Sequence, residues 1–136
     1  LSSIFFLMIP RAPRSARSSW SGASDVYKGQ GEGRSFSPTD LVATALGTCI
    51  ATILGIQAEK HALDLDGIEI SVEKEMASNP RRIASLRTDV TMPTALDAQT
   101  RERVERAARH CPVDESIHPD IEVPITFHWP GGGAAS

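Results

Sequence analysis

Cysteine is scarce: the chain has two in 136 residues. Two thiols cannot form the multi-bridge framework on which small secreted domains depend, so a reducing compartment, and hence a cytoplasmic location, is expected. A basic surplus is lacking as well. Residues 31–136 carry ten basic and sixteen acidic side chains, a net of −6, which argues against nucleic acid or an anionic membrane as partner. Membrane anchors are missing from the one long uncharged stretch. Its eighteen residues, Leu41 to Ala58, reach the lower limit of a bilayer span, but three Thr, two Gly and a Gln dilute them. Neither aromatic nor basic residues bracket both of its ends. A core helix is expected there, in a single domain large enough to bury it.

The first thirty residues differ from the rest, with four basic groups and one acid. Their apolar run, residues 3–9, precedes the basic residues, the reverse of a secretory signal, and is too short to span a bilayer. The stretches FFLMIPRAPRS and SDVYKGQ resemble translated sequencing-adapter DNA. Leu1 to about Gln30 are therefore expected to be an artefactual or disordered leader without function, the native N-terminus having been lost. Gly29-Gln30-Gly31-Glu32-Gly33-Arg34 lacks the strand before it and the Lys-Ser/Thr after it that a phosphate loop needs. It reads as a flexible approach to the helix.

That helix has a well-marked start. Ser37 suits the N-cap and Pro38 the first helical position, where a missing N–H costs nothing. Asp40 falls in the first turn, where a carboxylate complements the helix dipole. Val42, Ala45, Leu46, Cys49, Ile50 and Ile53 recur at helical spacing, so Cys49 lies on an apolar stripe. Small and apolar residues at the remaining positions predict a helix covered on most sides. From the helix alone Cys49 is better read as a small inert hydrophobe.

Downstream, Ile68, Ile70 and Val72 alternate with polar residues and predict a half-buried strand. Ala84, Leu86, Val90 and Met92 predict a second, and the short link makes the two an antiparallel hairpin. Asp97 caps a helix over Ala98 to His110, with Val104, Ala107, Ala108 and Cys111 along its narrow apolar face. Pro112 then starts a short turn through Ser116, placing Cys111 at a helix N-terminus, a location that lowers a thiol pKa. Ile121, Val123, Ile125, Phe127 and Trp129 predict a last inward-facing strand, with Pro124 at an edge or bulge. The fold class expected is α+β, an antiparallel sheet packed on a long central helix. Domain limits fall at residues 31–130, with 131–136 a tail. Zinc held by Cys49, Cys111, His61 and His110 is disfavoured, because only the adjacent His110 and Cys111 are close in sequence. Neither metal nor other cofactor is expected.

The segment SPTDLVATALGTC, followed some sixty residues later by CPVDESI and a terminal strand, resembles the osmotically inducible protein C (OsmC) and organic hydroperoxide resistance (Ohr) family over residues 31–129. The resemblance implies a peroxidatic nucleophile at Cys49 and a resolving thiol at Cys111. It also implies an organic hydroperoxide as substrate, a lipoyl-type dithiol as reductant, and a homodimer with sites at the subunit interface. In this family an arginine from an N-terminal strand and a carboxylate two residues before the Leu that opens the helix support the nucleophile. Here that carboxylate position is Thr39, with Asp40 beside it as a supporting candidate, and Arg34 lies too near the helix start to replace the arginine. Two alternatives stay open: a non-peroxidatic relative binding a small apolar or thiol-bearing ligand, and a domain whose cysteines merely pack.

Overall fold

A computed structural model describes residues 3–8, 37–131 and 134–135, the first and last of these as backbone. Its elements are β1 (Ser3–Met8), α1 (Pro38–His61), β2 (Glu69–Ala77), β3 (Arg82–Thr91), α2 (Ala98–Arg109), a 3-10 turn (Asp114–Ser116), β4 (Ile125–His128) and β5 (Ala134–Ala135). The strands form one sheet in the order β1-β2-β3-β4-β5.

Helix α1 starts as the local chemistry dictates. Ser37 Oγ accepts the Asp40 N–H at 3.2 Å, and the Asp40 carboxylate accepts the Ser37 N–H at 3.0 Å, a reciprocal capping box. Its buried stripe, with Leu46, Ile50 and Leu54 fully enclosed, packs onto β2 and α2. Ile70 from β2, Leu86 and Val90 from β3, Val104 and Ala108 from α2, and Phe127 from β4 complete the core. Gly47 permits a close approach of helix and sheet, because a Cβ there would meet Val72 Cγ2 at 3.2 Å. A Gly47→Val variant is therefore expected to lose about 1–3 kcal/mol through overpacking. Gly55, with nothing within 4 Å of an added Cβ, should instead gain about 0.5–1 kcal/mol as Gly55→Ala. Urea denaturation of both variants checks the contrast.

Several sequence expectations are corrected. The sheet is mixed: β3 and β4 are parallel, with Thr88 opposite Ile125 and Thr91 opposite His128. The physical reason is α2, which carries the chain back across the sheet, as parallel strands require. The last strand is shorter than its alternation implied. Before β4, the Glu122 and Pro124 carbonyls accept the Leu86 and Thr88 N–H groups at 2.8 and 2.9 Å, and Pro124 lies just ahead of the strand. In β3 the inward phase slips, because a register shift at Glu75/Met76 buries Ile83 and leaves Ala84 half-buried.

Residues 3–8, read as part of a leader, form β1 antiparallel to β2, with Ser3 opposite Lys74 and Met8 opposite Glu69. A β-prone run of Ile and Phe satisfies the edge groups that β2 would otherwise leave open. Within the tail, Ala134–Ala135 pair with β4. Residues 9–36, including the glycine-rich approach and Arg34, lie outside the described residues. Finally, α1 is not covered on most sides. Leu41 and Ile56 are 54% and 51% exposed, and with Ala45 and Thr52 they mark an uncharged outer face. The helix is long and apolar enough to cross a membrane by length and composition, yet its opposite face is part of a packed core.

Candidate functional site

Cys49 sits midway along α1, half-buried and packed against the core at the margin of the outer face. Cys111 follows the C-cap of α2, His110, and is 0% exposed. Both are free thiols. Although 62 positions separate them (49 to 111), the fold sets them near enough that Cys49 helps to raise the pKa of Cys111. The route is tertiary: α1 and α2 pack together.

The turn itself is built around Cys111. Asp114 N–H donates to its Sγ at 3.4 Å, and Glu115 N–H donates to its carbonyl at 3.1 Å. Ser116 Oγ donates to the Pro112 carbonyl at 2.6 Å. Sequence position at a turn start predicts a lowered thiol pKa, and the structure reverses this. Burial pushes the Cys111 thiol up to about 11; the Asp114 N–H opposes the rise, and Cys49 adds to it. One N–H dipole does not offset full desolvation of a thiolate. Cys111 is thus a protonated thiol at neutral pH, while Cys49 reaches solvent.

The sign of the resulting pH dependence is clear. The folded value lies above the ordinary 9.0, so the unfolded chain ionises first. This stabilising term is fully present below about pH 9 and lost as pH rises toward about 11. Cys111→Ala should flatten the alkaline limb of the stability–pH curve by on the order of 2 kcal/mol, as measured by urea denaturation between pH 8 and 11 on reduced protein.

Asp40 has an occupation the sequence does not announce. Lys74 Nζ lies 2.6 Å from its Oδ1, 2.7 Å from Thr39 Oγ1 and 3.4 Å from Ser37 Oγ. The two side chains are only 7% and 11% exposed, and the three ammonium hydrogens have three acceptors. Burial pushes the Asp40 carboxyl up, but hydrogen bonds from Lys74 and Ser37 outweigh it and hold the group below its ordinary value. Cys49 is nine positions along the helix from Asp40, a rise of about 13.5 Å, so this carboxylate does not touch the thiol of its own subunit. Thr39 serves the same cluster. Lys74 was detectable in principle, since it continues the inward phase of Ile70 and Val72, yet a lone lysine in an alternating strand reads as solvated.

Among the described residues no arginine or lysine is hydrogen-bonded to the Cys49 sulfur, and no three metal-ligating side chains converge. His61 Nδ1 lies 3.4 Å from Arg103. His110 Nδ1 lies 3.2 Å from Glu115 Oε1, both side chains largely exposed. Neither histidine joins the thiol pair.

Comparison with known proteins places the chain by sequence and fold. The family model for OsmC-like proteins matches residues 29–126. A crystal structure from Psychrobacter arcticus, provisionally described as an osmotic stress induced and detoxification response protein, is similar at 41% identity and a TM-score of 0.67. That match covers 75% of this chain and 74% of the other. An organic hydroperoxide resistance protein from Legionella pneumophila shares the fold at 17% identity and a TM-score of 0.60, over 74% of this chain and 76% of that one. One from Elizabethkingia anophelis does so at 16% identity and 0.61, over 75% and 76%. No curated protein matches the chain.

Proposed function

The chain belongs to the OsmC-like protein family, and we propose that it acts as a thiol peroxidase reducing organic hydroperoxides. One arrangement carries this reading: α1, with a half-exposed thiol, packs against α2, which is followed by a fully buried thiol, and the first thiol raises the pKa of the second. Cys49 thiolate attacks the distal peroxide oxygen, breaking the O–O bond to give Cys49–SOH and an alcohol. The Cys111 thiol then attacks the sulfenic sulfur, forming the disulfide and releasing water. Cys111 stays sequestered until the sulfenic acid forms beside it, and its proton leaves with the sulfenic hydroxyl as water when the S–S bond forms.

The apolar stripe around Cys49 favours an organic substrate over a charged one. A cytoplasmic dithiol, lipoyl-type by analogy with the family, returns both sulfurs to thiols. The uncharged outer face of α1, marked by Leu41, Ala45, Thr52 and Ile56, suits a homodimer that leaves Cys49 at the margin of the contact.

Mass spectrometry after one molar equivalent of cumene hydroperoxide tests the proposal. Loss of two hydrogens through a Cys49–Cys111 bridge is expected, and Cys111→Ser should trap a sulfenate on Cys49. A second reading, binding of a small apolar or thiol-bearing ligand without peroxide chemistry, draws on Thr39 at the carboxylate position and on the engagement of Asp40 by Lys74. Thiols that stay reduced while an apolar ligand raises the melting temperature would replace the first reading by this one.

A further inference from the structure

Helix α2 commits little apolar surface to the core. Of its twelve residues only Val104 and Ala108 are buried outright, and two small side chains leave the rotation and slide of a helix poorly fixed. A row of long polar side chains supplies the rest. Arg101, Glu105 and Arg109 recur every four positions, hence along one face of the helix, and each reaches an aromatic ring on the inner side of the last strand. Glu105 Oε1 accepts the Trp129 indole N–H at 2.9 Å, and its Oε2 lies 4.0 Å from the Arg109 guanidinium. Arg109 in turn lies over the Phe127 ring, 5.7 Å from its centre, and Arg101 over Trp129 at 4.8 Å. The two rings stack on one another at 6.4 Å.

Glu105 is the centre of this clasp. Its side chain is 17% exposed and Trp129 only 5%, so the enclosed indole N–H depends on the carboxylate for its partner. The Arg109 contact stands at the outer limit of an ion pair and adds direction more than strength. The clasp closes on the last turn of α2. Cys111 lies two positions beyond Arg109, on the far side of the His110 cap. From its other side Cys111 is held by the turn, through the Asp114 and Glu115 N–H groups. A disulfide accepts Cα separations of only about 4.4–6.8 Å. A displacement of that last turn by about an ångström therefore bears directly on whether a bridge can close.

We propose that Glu105 is a positioning residue for the thiol pair: by holding the Trp129 indole it seats the end of α2 against the last strand and keeps Cys111 where a bridge to Cys49 closes without strain. The inference rests on reading Cys49 and Cys111 as a redox couple, and adds to that couple a residue acting through Trp129 and Arg109. The competing description is a clasp that serves stability alone.

The test is an equilibrium, so its result is independent of the path by which a reagent reaches either sulfur. The full chain is equilibrated with reduced and oxidised glutathione, where protein dithiol and one glutathione disulfide give protein disulfide and two glutathiones. The protein loses two electrons and two protons, and the two glutathiones gain them. After an acid quench and N-ethylmaleimide, mass spectrometry counts bridged and open molecules. The resulting constant is an effective concentration of one sulfur at the other. Glu105→Ala should lower it at least about tenfold. Trp129→Phe, which removes the matching N–H, should lower it similarly, and the double variant no further than either single one. Glu105→Gln still offers an amide oxygen to the indole and should stay within about threefold of wild type.

Urea denaturation of the same proteins supplies the contrast. A clasp that serves stability alone lowers the urea midpoint and leaves the glutathione constant unmoved, an outcome that overturns the proposal. A constant that rises in Glu105→Ala, or falls as far in Glu105→Gln, overturns it too. Should Glu105→Ala fail to fold, Trp129→Phe decides, and an unchanged constant there is equally fatal. If wild type forms no bridge at any glutathione ratio, the couple is refuted and the role of Glu105 with it. If the constants fall as expected but cumene hydroperoxide oxidises nothing, the peroxidase reading fails while the positioning role stands.

Discussion

Replacing Lys74 with alanine is expected to destabilise the protein by about 3–5 kcal/mol, the usual cost of removing one partner from a buried ion pair. The variant strands the Asp40 carboxylate 8% exposed at the start of the core helix, with Thr39 and Ser37 deprived of their shared donor. The loss reflects an uncompensated charge and does not measure what the pair contributes. Accordingly, Asp40→Leu combined with Lys74→Met should recover most of the stability, since hydrophobic replacement of both members is often neutral or favourable. Urea denaturation of the two variants and wild type separates these outcomes. A penalty under about 1 kcal/mol for Lys74→Ala would mean that water solvates the cluster.

The same pair predicts a pH signature. Asp40 is held below its ordinary 3.8 when folded, so its contribution is present above that value and is lost as pH falls through the lowered folded one. The stability gap between wild type and Lys74→Ala should therefore shrink in acid, below about pH 4. The difference between the two acid limbs therefore reports on the anchor between α1 and β2, since the lowered Asp97 cap titrates alike in both proteins.

Cys49→Ser is expected to cut hydroperoxide consumption by at least roughly 10³-fold, because it removes the only atom proposed to bond oxygen and a serine hydroxyl is a far weaker nucleophile at neutral pH. Stability should change little, as the site is half-exposed and the replacement nearly isosteric. Cys111→Ser should behave differently. Its first turnover with excess cumene hydroperoxide proceeds, and later ones stall as sulfenate goes on to irreversible acids. Single-turnover and steady-state assays with a dithiol reductant distinguish the two variants. Equal loss of the first turnover in both would contradict the division of labour drawn from burial.

Much of this was legible before any coordinates. Ser37, Pro38 and Asp40 announce the start of α1 because a cap is made by neighbours in sequence. Ile68, Ile70 and Val72 announce a strand because side chains alternate. Asp97 marks α2 in the same manner, its carboxylate accepting the Thr100 N–H at 3.0 Å. What resisted sequence reading was long-range. Opposite Glu75/Met76 an extra residue, Ala84, shifts the inward phase of β3, and the parallel pairing of β4 depends on where α2 delivers the chain.

The candidate site divides along the same line. By itself the sequence determined two thiols, one on an apolar helical stripe and one before Pro112, because periodicity and proline stereochemistry are local properties of the chain. Only the tertiary structure decided that the thiols interact, that Cys111 is the enclosed one with its pKa driven up, and that Lys74 turns inward to hold Asp40. Burial is a property of surfaces that meet across the fold, and the electrostatic cost of a charge is set by how much water those surfaces leave beside it.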